Sequence, residues 1–184
     1  MIYVLTGNGK GKTTCAIGMG TRAAGAEKKV LMIQFLKAPG FSSENKVIKK
    51  IKNFEVKSFG RKGFIVSKSY LKSHPELKKM GLKQATKEDF ELMKKGVDLA
   101  KIAVDSKNYA LLILAEICLA LKFNLVAIEF FLNFLKEASQ KLDIVLTGRQ
   151  CPKQIIKVAD LVTEFREKKH YFKKGKKARK GIEY

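Results

Sequence analysis

The sequence predicts an α/β fold, with a mainly parallel sheet flanked by helices, in a single domain covering residues 1–184. Three observations carry this expectation. Short apolar runs alternate with stretches of helical periodicity. Several runs are apolar at every position, as strands covered on both faces must be. The first run also leads directly into a glycine-rich turn and then a helical stretch, the arrangement that grips phosphate in sheets of this kind. At 184 residues and 46% hydrophobic content, the chain can bury one such sheet without a second domain.

Taken in order, residues 2–5 (Ile-Tyr-Val-Leu) form the first strand, and residues 13–24 the helix after the turn. Strands are expected at 30–35 and 54–59. The stretch 37–82 holds two prolines, several glycines and clustered Ser and Lys, so it reads as a largely irregular loop region beside the sheet, of the kind that serves as a binding element or lid. Thr86-Lys87-Glu88-Asp89 has the form of a capping box, and Phe90, Met93, Val97 and Ala100 follow at helical spacing, which predicts a helix over 87–105. A strand at 110–114 comes next. A helix over 125–138 follows, with Leu125, Ile128, Leu132 and Leu135 facing inward. Strands at 144–146 and 161–163 complete the sheet.

A formal charge of +21 attracts anionic ligands in general. The lysines are spread along the whole chain, so nucleic-acid binding is disfavoured as the principal role. The densest block, 168–180, carries Tyr171 and Phe172, which are expected to anchor the tail to the core. Cys15, Cys118 and Cys151 have no metal-ligand or disulfide spacing and read as buried small hydrophobes or inert thiols. The chain enters an apolar strand at once, with neither a signal peptide nor a membrane-spanning run, so a cytoplasmic location without membrane insertion is expected.

The chemistry is concentrated in Thr6-Gly7-Asn8-Gly9-Lys10-Gly11-Lys12-Thr13-Thr14. Glycines let backbone N–H groups wrap an anion, Lys12 adds a point charge, and the Thr13 hydroxyl suits magnesium. The loop is one residue shorter than the usual G-x-x-x-x-G-K-[ST], with Thr6 standing where the first glycine normally does. The run 111–115 ends in Glu116, at the strand end where ligands bind, and this carboxylate is the candidate magnesium partner. Leu146-Thr147-Gly148-Arg149 delivers an arginine to the same edge, suited to bidentate phosphate contact. These residues alone leave open a P-loop ATPase, a small-molecule kinase or a non-enzymatic binding module.

In order, the opening loop, Arg22-Ala23-Ala24-Gly25, the segment from Val30 through Gln34 to Lys37, Thr147-Gly148-Arg149, the segment from Ala159 to Glu164 with Lys169-His170, and Gly181-Ile182-Glu183-Tyr184 closely resemble the P-loop class of ATP:cob(I)alamin (corrinoid) adenosyltransferases. The resemblance spans essentially the whole chain, and the short loop is the form that family uses. It implies a RecA-like P-loop NTPase fold and transfer of the 5′-deoxyadenosyl group of MgATP to the Co(I) centre of a corrinoid, with triphosphate released. ATP would bind in reversed orientation along Thr6–Thr14 and Arg149, with Lys12 and Glu116 catalytic and Thr13 and Glu116 at Mg2+. Phe64, in Gly63-Phe64-Ile65-Val66, would crowd the lower face of the corrin. An electron-donating reductase is the implied partner, and a homodimer is left open. The chain departs from the family pattern in three ways. Ala115-Glu116 stands where Asp-Glu is usual, Val66 replaces a larger aromatic in a chain without tryptophan, and an N-terminal extension that caps the corrinoid in some relatives is expected to be missing. With Ala115 in that place, a catalytically weakened corrinoid carrier is a further reading.

Overall fold

Six strands build one parallel sheet in the order β3-β2-β6-β7-β1-β8, seen in a computed structural model that describes residues 1–79, 81–169, 171, 175 and 178–182. In chain order, β1 (Ile2–Thr6) leads through the glycine-rich turn to α1 (Lys12–Gly25), and β2 (Val30–Phe35) follows. Next come α2 (Glu44–Ile48) and β3 (Phe54–Phe59), then an excursion through β4 (Ile65–Val66), α3 (Lys68–Ser73), α4 (Glu76–Lys79) and β5 (Lys83–Gln84). The long α5 (Lys87–Ser106) returns the chain to β6 (Leu111–Ala115). Two helices, α6 (Ile117–Lys122) and α7 (Ile128–Ala138), precede β7 (Asp143–Thr147), and α8 (Lys153–Val158) precedes β8 (Leu161–Glu164). Parts of the basic C-terminal block (His170, Phe172, Lys173, Lys174, Lys176, Lys177) and the closing Glu183-Tyr184 lie outside the described residues, as does Met80.

The apolar runs are explained by burial on both faces. Along β6, Leu112 and Leu114 join the cluster under α5, α6 and α7, with Met93, Val97, Phe131 and Leu135. The alternate residues Leu111, Ile113 and Ala115 join Ala16 of α1 and Phe54 on the opposite face. Because strand side chains alternate, a strand filling both clusters cannot carry a polar face. The two edge strands are the exceptions: Glu55 and Lys57 of β3 face solvent, as do Leu161 and Val162 of β8, and among the described residues β3 pairs with β2 and β8 with β1.

The predicted strands all form, and the structure adjusts three helical expectations. The capping box of α5 is present, with the Asp89 carboxylate accepting from the Thr86 backbone N–H at 2.8 Å; Met93, Val97 and Ala100 are buried, whereas Phe90 faces solvent. The second predicted helix starts at Ile128, three residues late, because Leu125 belongs to the turn that closes α6. There its N–H donates to the Ala120 carbonyl, next to Asn124 in the left-handed region, and Phe131, Phe134, Leu135 and Ala138 form the buried stripe. Within 37–82, short helices and a two-strand ladder interrupt the loop. None is long enough to show a periodicity in the sequence.

Where this region leaves the sheet, Gly60 packs on backbone. A Cβ at this position would stand 2.5 Å from the Lys37 nitrogen and 2.6 Å from the Leu36 carbonyl carbon. Main chain cannot yield as a side-chain tip can. Gly60→Ala is therefore expected to destabilise by about 1–3 kcal/mol through overpacking, seen as a lower denaturant midpoint at unchanged slope.

Candidate functional site

The strand order places the C-terminal ends of β1, β7 and β6 side by side, so three loops converge there. From β1 comes the phosphate-loop segment. Gly11 adopts φ +117° as the residue before α1, and Gly9–Thr14 line a cleft of about 580 Å³. The helix N-terminus thus faces that space, carrying the positive end of its dipole. Thr6, Gly7 and Asn8 are not among the lining residues but hold the loop. The Thr6 hydroxyl accepts from the Cys151 N–H, its carbonyl accepts from the Phe165 N–H, and Asn8 Oδ1 accepts from the Glu167 N–H. Gly9 is strapped from the other side, donating its N–H to the Phe165 carbonyl at 2.7 Å. A Cβ on Gly9 would meet that oxygen at 2.8 Å, which is why glycine is required there. The Gly9 N–H is thereby spent on shaping the loop.

Lys12 is 7% exposed, and its ammonium donates to the Gly7 and Gly9 carbonyls at 2.8 and 2.7 Å. Burial pushes its pKa below the ordinary lysine value; the Arg149 guanidinium adds repulsion, and Glu116 offsets part of both. Lys12, Arg149 and Glu116 therefore share one electrostatic neighbourhood, with two cations facing one carboxylate. That imbalance favours a polyanion.

Glu116 sits between β6 and α6 at φ +62°, a left-handed conformation uncommon outside glycine. Its N–H donates to the buried Thr147 hydroxyl at 3.1 Å, which ties the end of β6 to that of β7. Arg149 follows two residues later and is exposed at the cleft. Lys12, Thr13, Glu116 and Arg149 line the same space together with Gly9, Lys10, Gly11, Thr14 and Phe64, so nine of the twelve expected site residues are brought together.

A second cleft, of about 510 Å³, adjoins the first and is lined largely by apolar groups, including Leu36, Phe41, Leu119 and Phe123. Phe64, Glu116 and Arg149 line both. Phe64 is 71% exposed. An aromatic ring presented at the junction of two clefts is not there to fill the core.

Sequence reasoning overlooked several groups that complete this region. From the C-terminal part of the chain, Tyr171 accepts a hydrogen bond from Lys10 at 3.4 Å and lines the first cleft with Glu167, Ala178 and Ile182. The expectation that Tyr171 anchors the tail to the core is replaced by this contact with the phosphate loop. Of the cysteines, Cys118 is buried and Cys151 half-buried, but Cys15 is exposed on α1. The neighbouring Cys151 thiol and burial push the Cys118 thiol well above its ordinary pKa. No helix among the described residues is long and apolar enough to cross a membrane.

The family model described as ATP:corrinoid adenosyltransferase BtuR/CobO/CobP matches residues 1–184. The corrinoid adenosyltransferase of Escherichia coli K12 is 30% identical over all of this chain and 85% of its own length. That of a Sinorhizobium species is 31% identical over all of this chain and 80% of its own, and CobA of Salmonella typhimurium LT2 is 29% identical over all of this chain and 85% of its own. A phosphate loop of the short form, an acid and an arginine on neighbouring strand ends, and this full-length similarity agree: the chain belongs to the ATP:corrinoid adenosyltransferase BtuR/CobO/CobP family.

Proposed function

We propose that this protein transfers the 5′-deoxyadenosyl group of ATP to the Co(I) centre of a corrinoid. The observation that carries the reading is the pair of adjoining clefts, one lined by the glycine-rich loop with Lys12 and Arg149 and so suited to polyphosphate, the other largely apolar with a charged rim, which share Phe64, Glu116 and Arg149. Two substrates that react with each other need such a junction.

In the proposed step, the Co(I) electron pair attacks C5′ of the nucleotide, a cobalt–carbon bond forms, and the C5′–O bond breaks. The bonding pair leaves with inorganic triphosphate, and cobalt is formally oxidised to Co(III). The substrate itself is the nucleophile, so no activated Ser, Cys or His is required. The protein's part is positioning and charge: Lys12, Arg149 and the α1 N-terminus stabilise the negative charge that grows on the departing triphosphate. Thr13 and Glu116 offer one hydroxyl and one carboxylate, a hard-oxygen set that fits Mg2+ shared with phosphate oxygens and water. Bound there, Mg2+ would neutralise charge on the triphosphate. An external reductase would supply Co(I).

The decisive experiment is anaerobic incubation with MgATP and chemically reduced cobalamin. Loss of the Co(I) absorbance with stoichiometric triphosphate is expected; ADP and phosphate without a cobalt–carbon product would identify an ATPase or kinase instead.

The exposed ring of Phe64 gives a further expected result. An axial ligand makes Co(II) hard to reduce, and an apolar side chain against the lower corrin face displaces it. Phe64→Ala is expected to depress adenosylation started from Co(II) plus reductant roughly tenfold more than adenosylation started from preformed Co(I). Equal losses in the two assays would remove Phe64 from this role.

A further inference from the structure

Phe64 is exposed, so its own packing does not fix where it points. Its backbone is fixed on one side by a short ladder, in which the Lys83 N–H donates to the Phe64 carbonyl at 2.9 Å and the Ala85 N–H to the Val66 carbonyl at 2.8 Å. On the other side stand Gly63 at φ +108° and Lys62, neither of which anchors the turn by packing. The anchor there is Arg61. Its Nε and Nη2 donate to the two Asp89 carboxylate oxygens at 2.7 and 2.6 Å, and Nη2 and Nη1 reach the Thr86 hydroxyl and Glu88 at 2.8 and 2.9 Å.

Asp89 is a carboxylate with no exposed surface. Such a charge persists only when its oxygens are matched by donors. Burial alone would raise its pKa, but the bonds from Arg61 and Thr86, with the Arg61 charge, hold it below the ordinary aspartate value. Capping α5 uses only part of this carboxylate. Its bidentate pairing with an arginine 28 residues earlier is more than a helix cap requires.

We infer that the Arg61–Asp89 fork is a positioning device that sets Phe64 at the junction of the two clefts, and so governs corrinoid handling without touching the nucleotide. This rests on the adenosyltransferase reading for its kinetic consequence, but not for the fork itself. Arg61 also lines the apolar cleft, so Asp89, which does not, provides the cleaner variant. Asp89→Asn keeps an oxygen to cap α5 and loses the charge.

The test uses the full chain in two ways. In steady state, Arg61→Gln and Asp89→Asn are each expected to raise KM for the corrinoid roughly tenfold with KM for ATP within about twofold. The double variant should be no worse than Arg61→Gln alone, because both remove one contact. Without turnover, Phe64→Trp introduces the sole indole of the chain; adding Arg61→Gln should lower its fluorescence anisotropy when measured well below Tm, with Tm itself reduced because the buried Asp89 carboxylate loses its charged partner. This second arm reports on the fork even if the protein transfers no adenosyl group, so failure of the activity and failure of the fork remain distinct. The inference is overturned if the two KM values rise together, if Asp89→Asn leaves the corrinoid KM unchanged, if the double variant shows the product of the single effects, or if the anisotropy does not move.

Discussion

Replacing Lys12 with alanine is expected to cut kcat/KM by about 30- to 1000-fold, on the order of 2–4 kcal/mol of transition-state stabilisation. The structure explains why one side chain carries so much. Lys12 is buried beneath its loop with its ammonium on two carbonyls, and both burial and Arg149 disfavour its charge. A polyphosphate reverses that penalty, and the gain is largest when negative charge accumulates on the leaving group. Lys12→Arg should not rescue activity, because the guanidinium is larger and forked where the loop holds a compact point charge. The variant also strips the Gly7 and Gly9 carbonyls of a donor, so a modest fall in Tm, worth about 1 kcal/mol, should accompany it. Activity within twofold of the parent enzyme, at any Tm, would remove the phosphate-binding assignment.

How far the site was legible in the sequence follows from how local each signal is. The loop from Thr6 to Thr14, Glu116 and Arg149 were readable because each follows a short apolar strand, and strand ends in a parallel sheet converge on one edge. The capping box at Thr86–Asp89 was equally readable, as its partners lie three residues apart. What the same Asp89 does for Arg61 was not, since that contact closes a separation no periodicity marks. The strap from Phe165 to Gly9 and the reach of Tyr171 to Lys10 escaped for the same reason. In the tail, Tyr171 was legible as an aromatic with a packing role, but its partner Lys10 was not, because the contact joins opposite ends of the chain. The start of α7 was misplaced because Leu125 is apolar in phase with the helix yet packs as part of the preceding turn.

The second large effect is expected at Glu116, whose neighbour departs from the family pattern. Ala115 is fully buried, its side chain on the α1 face with Leu5, Ala16 and Met32, while Glu116 turns into the cleft through its left-handed backbone. A left-handed non-glycine residue costs about 1–3 kcal/mol and persists where its surroundings fix it, here through the N–H bond to Thr147. With alanine at 115, Glu116 is the one carboxylate of that pair left to meet a cation. Glu116→Gln keeps the size, backbone and hydrogen-bonding capacity and removes only the charge, so it is expected to raise the Mg2+ concentration for half-maximal activity about tenfold or more. Tm should stay near that of the parent, because among the described residues this carboxylate makes no ion pair that the fold depends on. Ala115→Asp supplies the control of opposite sign. Placed in an apolar cluster, its carboxylate carries the larger penalty of a buried charge unless it finds a partner, so Tm should fall without Mg2+ and ATP and recover when both are added, with the Mg2+ requirement lowered or unchanged. If Glu116→Gln titrates with Mg2+ as the parent does, the cation is held by other groups and the carboxylate at 116 serves the corrinoid cleft instead.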